Sequence, residues 1–274
     1  MRIRTALLIA GAGYAGYRFA LRPWWERWGV DPIEAGAPLP GDDLVLAPDH
    51  VETRGIDIAA PPEAVWPWLV QLGYGRGGWY SYDRLDMEGS SASGILPELQ
   101  GLAVGDVVPT HPTGGLVVRE LDPGRSLVLY FDDEIIDAQA KAAKARTVGR
   151  TPANLQASGA FLSATTSAGF VASWAFVLEP RGAGTRLIER FRIAMEGGGA
   201  ASKLGAPAIG LGVFVMMRKQ LLGIRDRVEG RASTAGALHA AEPAPTAGTP
   251  AATVADVVPE VVEPADKTPI TAPV

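Results

Sequence analysis

The alternation and spacing of apolar residues divide the chain into strands and helices from residue 51 onward. Apolar and polar side chains alternate between residues 51 and 59, which predicts a half-buried strand. Pro61 and Pro62 end this strand, and the apolar stripe that follows, up to Leu72, predicts an amphipathic helix. Five further strands are predicted at residues 106–110, 116–121, 127–131, 170–179 and 185–194.

A second amphipathic helix closes the predicted domain. We expect Pro207 to open it, and its apolar residues recur every three or four positions: Phe214, Met217, Leu221, Ile224 and Val228. This order of elements predicts an α+β fold of the helix-grip type, in which a curved antiparallel sheet wraps around a long C-terminal helix. Such a fold often leaves an apolar cavity between sheet and helix, where a hydrophobic small molecule or a lipid binds.

Changes in composition divide the chain into four parts. We predict an N-terminal apolar segment at residues 1–29, a Pro- and Gly-rich linker at 30–50, the domain at 51–230, and a tail at 231–274. The tail is predicted to be disordered, because it has too few apolar residues to offset the entropy of ordering. An insertion at 132–168 interrupts the sheet and is either a solvated excursion or a flap over the cavity.

The N-terminal segment has features of a membrane anchor. Arg2 and Arg4 precede an uncharged run over residues 5–17, and three tryptophans follow it. Arginines and tryptophans at both ends can extend a short apolar core, so residues 3–21 are predicted to associate the protein with a membrane. A signal peptide and a soluble amphipathic arm, with the protein in the cytoplasm, are the alternatives.

Composition excludes several kinds of chemistry. The chain has 274 residues, no cysteine and a net charge of −5. Disulfides and thiolate nucleophiles are therefore excluded, and an acidic chain lacks the basic surface that nucleic acids need. None of the three histidines has the spacing of a metal site. We predict no metal, no cofactor and no nucleic-acid partner.

A glycine-rich loop and several aromatic residues are the candidate ligand site. The loop sequence Gly-Arg-Gly-Gly-Trp-Tyr-Ser-Tyr-Asp is predicted to form one rim of the cavity. It contributes Arg76, Trp79, Tyr80 and Tyr82, and the predicted cavity walls add Trp66, Trp174, Phe214 and Met217. Each aromatic residue is equally compatible with ordinary core packing, and Arg76 with a surface salt bridge to Asp83.

Glu189 is the most informative acid in the sequence. Alternation in the strand at residues 185–194 places it on the same face as Leu187, Phe191 and Ile193, and three arginines and Ile188 on the other. The apolar face is the inner one, so Glu189 is predicted to project into the cavity. Burial would raise its pKa unless a cation such as Arg119 pairs with it. The alternative is a strand shifted by a bulge, with Glu189 outside and the arginines lining the cavity.

The opening of the predicted domain resembles a START-like protein of the superfamily that joins polyketide cyclases, plant allergen-type carriers and lipid-transfer domains (SRPBCC). The resemblance rests on the run Ile-x-Ile-x-Ala-Pro-Pro-Glu-x-Val-Trp-Pro-Trp-Leu-Val-Gln-Leu-Gly and the glycine-rich loop that follows it. Residues 121–129 and 173–180 agree with it, so it covers about residues 40 to 229. It implies a helix-grip fold, while the superfamily contains both binders and enzymes.

Three functions are compatible with these features. The first is a membrane-tethered domain that binds or carries a hydrophobic small molecule or lipid. The second is a cyclase- or dehydrase-like enzyme that uses the same cavity, because such catalysis needs only a shaped site and one or two acid–base groups. The third is an interaction domain with a collapsed cavity.

Overall fold

The computed structural model describes residues 11–86, 89–146, 170–195 and 200–231. The helices are α1 (Arg22–Glu26), α2 (Pro32–Gly36), α3 (Pro62–Val70), α4 (Asp83–Asp86), α5 (Asp133–Arg146) and α6 (Ala200–Val228). The strands are β1 (His50–Ile58), β2 (Val107–His111), β3 (Gly114–Asp122), β4 (Ser126–Phe131), β5 (Phe170–Arg181) and β6 (Gly184–Met195). The six predicted strands and the long C-terminal helix are confirmed. That helix begins at Ala200, so Pro207 lies inside it rather than at its start.

One antiparallel sheet contains all six strands, in the order β1-β6-β5-β4-β3-β2. The pairing of β1 with β6 joins the first strand of the chain to the last, and Arg54 lies directly opposite Glu189. On the other side of β6, Phe176 of β5 also pairs with Glu189. Residues directly opposite each other in antiparallel strands share a face, so these three side chains lie together on one side of the sheet.

The face that carries Glu189, which we call the inner face, packs against α6 and α3. Its hydrophobic residues join those helices in one buried core, with Leu187 and Phe176 from the sheet and Leu221 and Ile224 from α6. Gly223 brings α6 close to the loop after α3, because a Cβ atom at this position would overlap the carbonyl oxygen of Tyr80. Burial of apolar side chains of this size contributes roughly 1.5–3 kcal/mol each.

The opposite, outer face is covered by residues 29–49, and we call this segment the strap. Most of it is predicted as a linker, but three arginines on the outer face of β6 bind it. Arg186 forms an ion pair with Glu34 at 2.7 Å and also donates to the carbonyl of Gly29. Arg190 and Arg192 bind Asp42 at 2.7 and 3.2 Å. These charged bonds fix the strap because each arginine has acceptors that match its planar donors.

A helical segment precedes the strap. Residues 11–16 are helical, a π-helical turn follows at Tyr17–Leu21, and α1 continues to Glu26. Trp25 is buried, and the carbonyl of Trp28 accepts a hydrogen bond from the amide of Gly55 in β1. The last part of the predicted anchor therefore belongs to the folded domain. Within the described residues, no helix is both long and apolar enough to cross a membrane.

The predicted insertion begins with α5, which is attached to the start of β3. The side-chain amide of Gln139 accepts from the backbone nitrogen of Gly115 at 2.9 Å and donates to its carbonyl at 3.0 Å. A side-chain amide that makes both bonds imitates a neighbouring strand. The rest of the insertion, at residues 147–168, and nearly all of the predicted tail lie outside the described residues, so the flap and the disorder stay predictions.

Candidate functional site

Five of the nine predicted site residues are linked by direct or shared contacts at the inner face. Trp79 stacks on Trp174, with ring centroids 5.3 Å apart and an interplanar angle of 10°. The indole nitrogen of Trp174 donates to Glu189 Oε1 at 2.7 Å. Phe214 and Met217, from α6, both contact Arg54, the cross-strand neighbour of Glu189. These contacts define the candidate site, which we call the Glu189 cluster.

Glu189 is buried, as predicted, with 1% of its surface exposed. One carboxyl oxygen is bound by Trp174, but the other, Oε2, is buried and has no hydrogen-bond partner among the described residues. Burial raises the pKa of Glu189 to about 7, against the opposing effects of the Arg54 charge and the Trp174 hydrogen bond. Near neutral pH the group is therefore divided between an acid that donates a proton and a carboxylate that accepts one.

The cation nearest to this acid in the sheet is Arg54, not the predicted Arg119. Arg119 is exposed and lies over the ring of Tyr130, 4.9 Å from its centroid. The guanidinium of Arg54 donates hydrogen bonds to other acceptors. These are the carboxylate of Glu52, the carbonyl of Trp25 at 3.3 Å, and the sulfur of Met217 at 2.8 Å. A thioether is a weak acceptor. The guanidinium therefore lowers the pKa of Glu189 through its charge rather than through a hydrogen bond.

A second buried acid, Glu52, connects the cluster to the surface. His50 Nε2 lies 2.7 Å from Glu52 Oε1, and His50 is about one-quarter exposed. Burial alone would raise the pKa of Glu52, but the hydrogen bond with His50 and the charge of Arg54 lower it below its ordinary value. Two buried carboxylates therefore differ in protonation at neutral pH, as is usual where enzymes separate an acid from a base.

The sequence reasoning missed Glu52, Arg54 and His50 as site residues. The signal was available in the alternation of β1, because positions 52 and 54 share a face with Ile56 and Ile58. A charged pair on the apolar face of a strand has to find buried partners. That this pair lies beside Glu189 could not be predicted from the pattern, because it depends on the pairing of β1 with β6, which joins residues that are distant in sequence.

Arg76 is placed differently from both of its predicted roles. Its guanidinium donates to the carbonyls of Leu72 and Val70, each at 3.0 Å, just after the end of α3. These carbonyls have no partner within a helix, so an arginine that binds them caps its C-terminus. Asp83, its alternative partner, instead accepts from the amide and hydroxyl of Ser91. The geometry makes Arg76 a structural residue of the loop.

The two tyrosines of the loop are also separate from the Glu189 cluster. Tyr80 is buried, donates its hydroxyl to the carbonyl of Trp68 at 3.2 Å, and lies beneath the guanidinium of Arg227. Burial raises the pKa of Tyr80 to about 12, so it stays neutral. Its φ of 57° is in the left-handed region, a cost that its buried contacts offset. Tyr82 is exposed.

The remaining predicted wall residue, Trp66, packs half-buried against the core. Two surface depressions, of about 420 and 390 Å³, lie beside the N-terminal helix and beside the strap. Neither is lined by a residue of the Glu189 cluster. Within the described residues no group of three acids or histidines is arranged to hold a metal ion.

Comparisons with known proteins find likeness only among solved structures. No protein-family model and no curated protein matches the chain. Protein MLL2253 from Mesorhizobium loti is 14% identical over 66% of this chain and 98% of that one, with a TM-score of 0.34. The Aha1 dimer from Colwellia psychrerythraea is 16% identical over 66% of this chain and 98% of that one, with a TM-score of 0.31. Similarity at this level leaves the function to be argued from the side chains.

Proposed function

We propose that this protein is a START-like helix-grip domain that binds a hydrophobic small molecule or lipid at the Glu189 cluster. The resemblance of the sequence to START-like proteins supports this, as do the antiparallel sheet and its C-terminal helix. Glu189 carries the proposal, because one of its oxygens is buried and has no partner in the described part of the chain. Leaving such a group unpaired costs about 1–3 kcal/mol, a cost that a ligand hydrogen bond removes.

The surroundings of Glu189 favour an apolar ligand with one polar group. Trp174 and Phe191 are half-buried beside it, and their rings meet edge to face at 5.8 Å. Ligand sites are mostly apolar, with a few polar groups that fix orientation. A protonated Glu189 would donate a hydrogen bond to a ligand carbonyl, whereas a carboxylate would accept one from a hydroxyl.

Catalysis by a cyclase- or dehydrase-like mechanism is the second candidate. It is favoured by the unequal pKa values of the two acids, since Glu189 titrates near neutrality and Glu52 well below it. In that case Glu189 would transfer a proton to or from a substrate oxygen or carbon. An interaction domain with a collapsed cavity is the third candidate, and the stacked rings of Trp79 and Trp174 are compatible with it.

We also propose that the N-terminal segment tethers the protein to a membrane. The described part of this segment supports the idea, since Tyr14, Phe19 and Trp24 are exposed on a helix that follows an uncharged stretch. Removal of residues 1–16 should release the protein into the soluble fraction of cells without affecting Trp25. Equal solubility of the shortened and full-length proteins would contradict the tether.

Binding of 1-anilinonaphthalene-8-sulfonate, a fluorescent apolar probe, tests the ligand site. We expect saturable binding to the full-length protein, with competition by apolar molecules that carry a carbonyl group. Glu189→Leu should abolish that competition, because it removes the polar contact and keeps an apolar surface. Native mass spectrometry of the gently purified protein would identify any molecule bound in the cell.

Glu179→Leu is the matched control, since Glu179 is exposed on the neighbouring strand β5. It should bind the probe and its competitors as the unmodified protein does. Unsaturable probe binding, or competition that Glu189→Leu leaves unchanged, would contradict the proposal. Glu189→Gln then separates the two leading candidates, because retained affinity with lost turnover indicates catalysis.

A further inference from the structure

Two adjacent helices expose apolar side chains on the same side of the molecule. Trp24 of α1 lies against Phe214 of α6, with ring centroids 5.3 Å apart and an angle of 65° between the rings. Although Phe214 is buried, Trp24 is 55% exposed. Leu211 lies one turn before Phe214, and Val215 directly follows Phe214. Both Leu211 and Val215 are exposed. We call Trp24, Leu211 and Val215 the two-helix face.

Arginines lie on the segments that form the two-helix face, although the protein as a whole is acidic. Arg218 lies over the ring of Trp28, 5.0 Å from its centroid, so a cation–π contact joins α6 to the turn that follows α1. Arg18 and Arg27 are exposed on the N-terminal helix and just after it. None of these three arginines forms an ion pair within the described part of the chain. Because the net charge of the chain is −5, these arginines are a local concentration of positive charge on an acidic protein.

We propose that the two-helix face lies on a bilayer surface that contains anionic lipids. The inference rests on the proposed tether and extends it, because it adds α6 of the folded domain to the membrane contact. Tryptophan beside aliphatic side chains and arginines is the composition of a helix that lies in the membrane interface. The uncharged run at residues 5–17 leads directly into this face, so a tether there brings the face to the bilayer.

A second copy of the chain is a less suitable partner for this face. In a two-fold symmetric dimer the same patch meets itself, so Arg27 and Arg218 would approach their own copies. Like charges brought together at a surface repel, whereas anionic headgroups attract the same arginines. Charge complementarity therefore favours the bilayer.

Sedimentation with vesicles tests the proposal on the full-length chain. One set contains phosphatidylcholine alone, and in the other about a third of the lipid is phosphatidylglycerol. Each arginine near an anionic surface strengthens binding by roughly fivefold. Arg27→Glu with Arg218→Glu should therefore weaken binding to the anionic vesicles by at least about tenfold and leave binding to the neutral ones nearly unchanged.

A second pair of substitutions tests the apolar contact. Leu211→Gln with Val215→Gln should weaken binding to both kinds of vesicle by about tenfold, because apolar surface no longer enters the interface. Both residues are exposed, so folding should be retained, and circular dichroism checks this.

Matched controls exist for each pair. Leu46 and Val104 are at least as exposed as Leu211 and Val215, but Leu46 belongs to the strap on the outer face and Val104 lies near the far edge strand β2. Arg125 and Arg181 are exposed at the turns that join β3 to β4 and β5 to β6. The same substitutions at these positions should leave vesicle binding within about twofold.

The outcomes separate the face from the tether. Vesicle binding that is lost on removal of residues 1–10 but unaffected by either face pair would support the tether alone and overturn the inference. Failure of the full-length protein to bind any vesicle would overturn both. A dimer in light scattering that the face pairs dissociate, with vesicle binding unchanged, would assign the face to a second copy and also overturn the inference.

Discussion

Replacement of Glu189 by glutamine should make the protein more stable at alkaline pH while removing part of its dependence on pH. The pKa of Glu189 is raised from 4.5 to about 7 by burial, so the folded state binds a proton more tightly than the unfolded chain. Between these two values the folded protein holds the proton and the unfolded chain has lost it. Stability from this group is therefore complete below about pH 4.5 and lost as the pH rises through about 7.

The magnitude follows from the gap between the two pKa values. At 1.36 kcal/mol per pH unit, the gap corresponds to about 3 kcal/mol of unfolding free energy. Glutamine has almost the same shape, can keep the bond from Trp174 through its amide oxygen, and does not titrate. Most of the loss of stability falls between about pH 5 and pH 8, where the free energy of unfolding of the unmodified protein should fall by about 2.5 kcal/mol more than that of Glu189→Gln.

Urea unfolding, followed by tryptophan fluorescence, measures this difference at several pH values. Other titrating groups, including Glu52, act equally in both proteins and cancel in the comparison. Glu179→Gln, at an exposed position, controls for the loss of one carboxylate and should follow the unmodified protein. Parallel stability curves for the unmodified protein and Glu189→Gln from about pH 5 to 8 would refute the raised pKa and, with it, the unpaired burial of this acid.

Three further predictions concern residues outside the Glu189 cluster. Arg190→Ala should lower the free energy of unfolding by about 3 kcal/mol, because it removes a buried guanidinium that binds half-buried acceptors of the strap. Arg181→Ala, at an exposed pair, should cost less than about 1 kcal/mol in the same urea assay. Arg76→Ala should lower the melting temperature through the loss of roughly 1–3 kcal/mol of capping bonds and leave probe binding intact; weaker binding with unchanged melting would restore its predicted ligand role. Tyr80→Phe should cost about 1 kcal/mol, and no change in stability would mean that its hydroxyl bond is not formed.

Local patterns predicted the fold and the side on which Glu189 lies. The period of a strand is two residues, so alternation in β6 separates its faces without knowledge of its neighbours. Alternation within one strand does not predict which other strand pairs with it. The sequence alone offers Arg119 as a cation for Glu189, whereas the pairing of β1 with β6 places Arg54 beside it.

The composition of the strap predicts a linker, but the structure binds this segment to the sheet. Proline and glycine dominate residues 30–50 and are typical of linkers, but Glu34 and Asp42 in the same stretch match arginines on the outer face of β6. The prediction assigned those arginines to the outer face and gave them no partners. A buried guanidinium needs acceptors, so a row of arginines on a strand already predicted an acidic segment that covers it.

The two faces of β6 differ in how completely their charged groups are paired. On the outer face, Arg186 and Arg190 each bind a carboxylate and at least one backbone carbonyl of the strap. On the inner face, Glu189 receives one hydrogen bond from the residues that the structure describes, and its neighbour Arg54 is directed to Glu52. Folding alone selects for the first arrangement, since unpaired buried groups cost stability. The second arrangement persists against that cost, and the proposed ligand, by completing the hydrogen bonds of Glu189, would give it a physical reason.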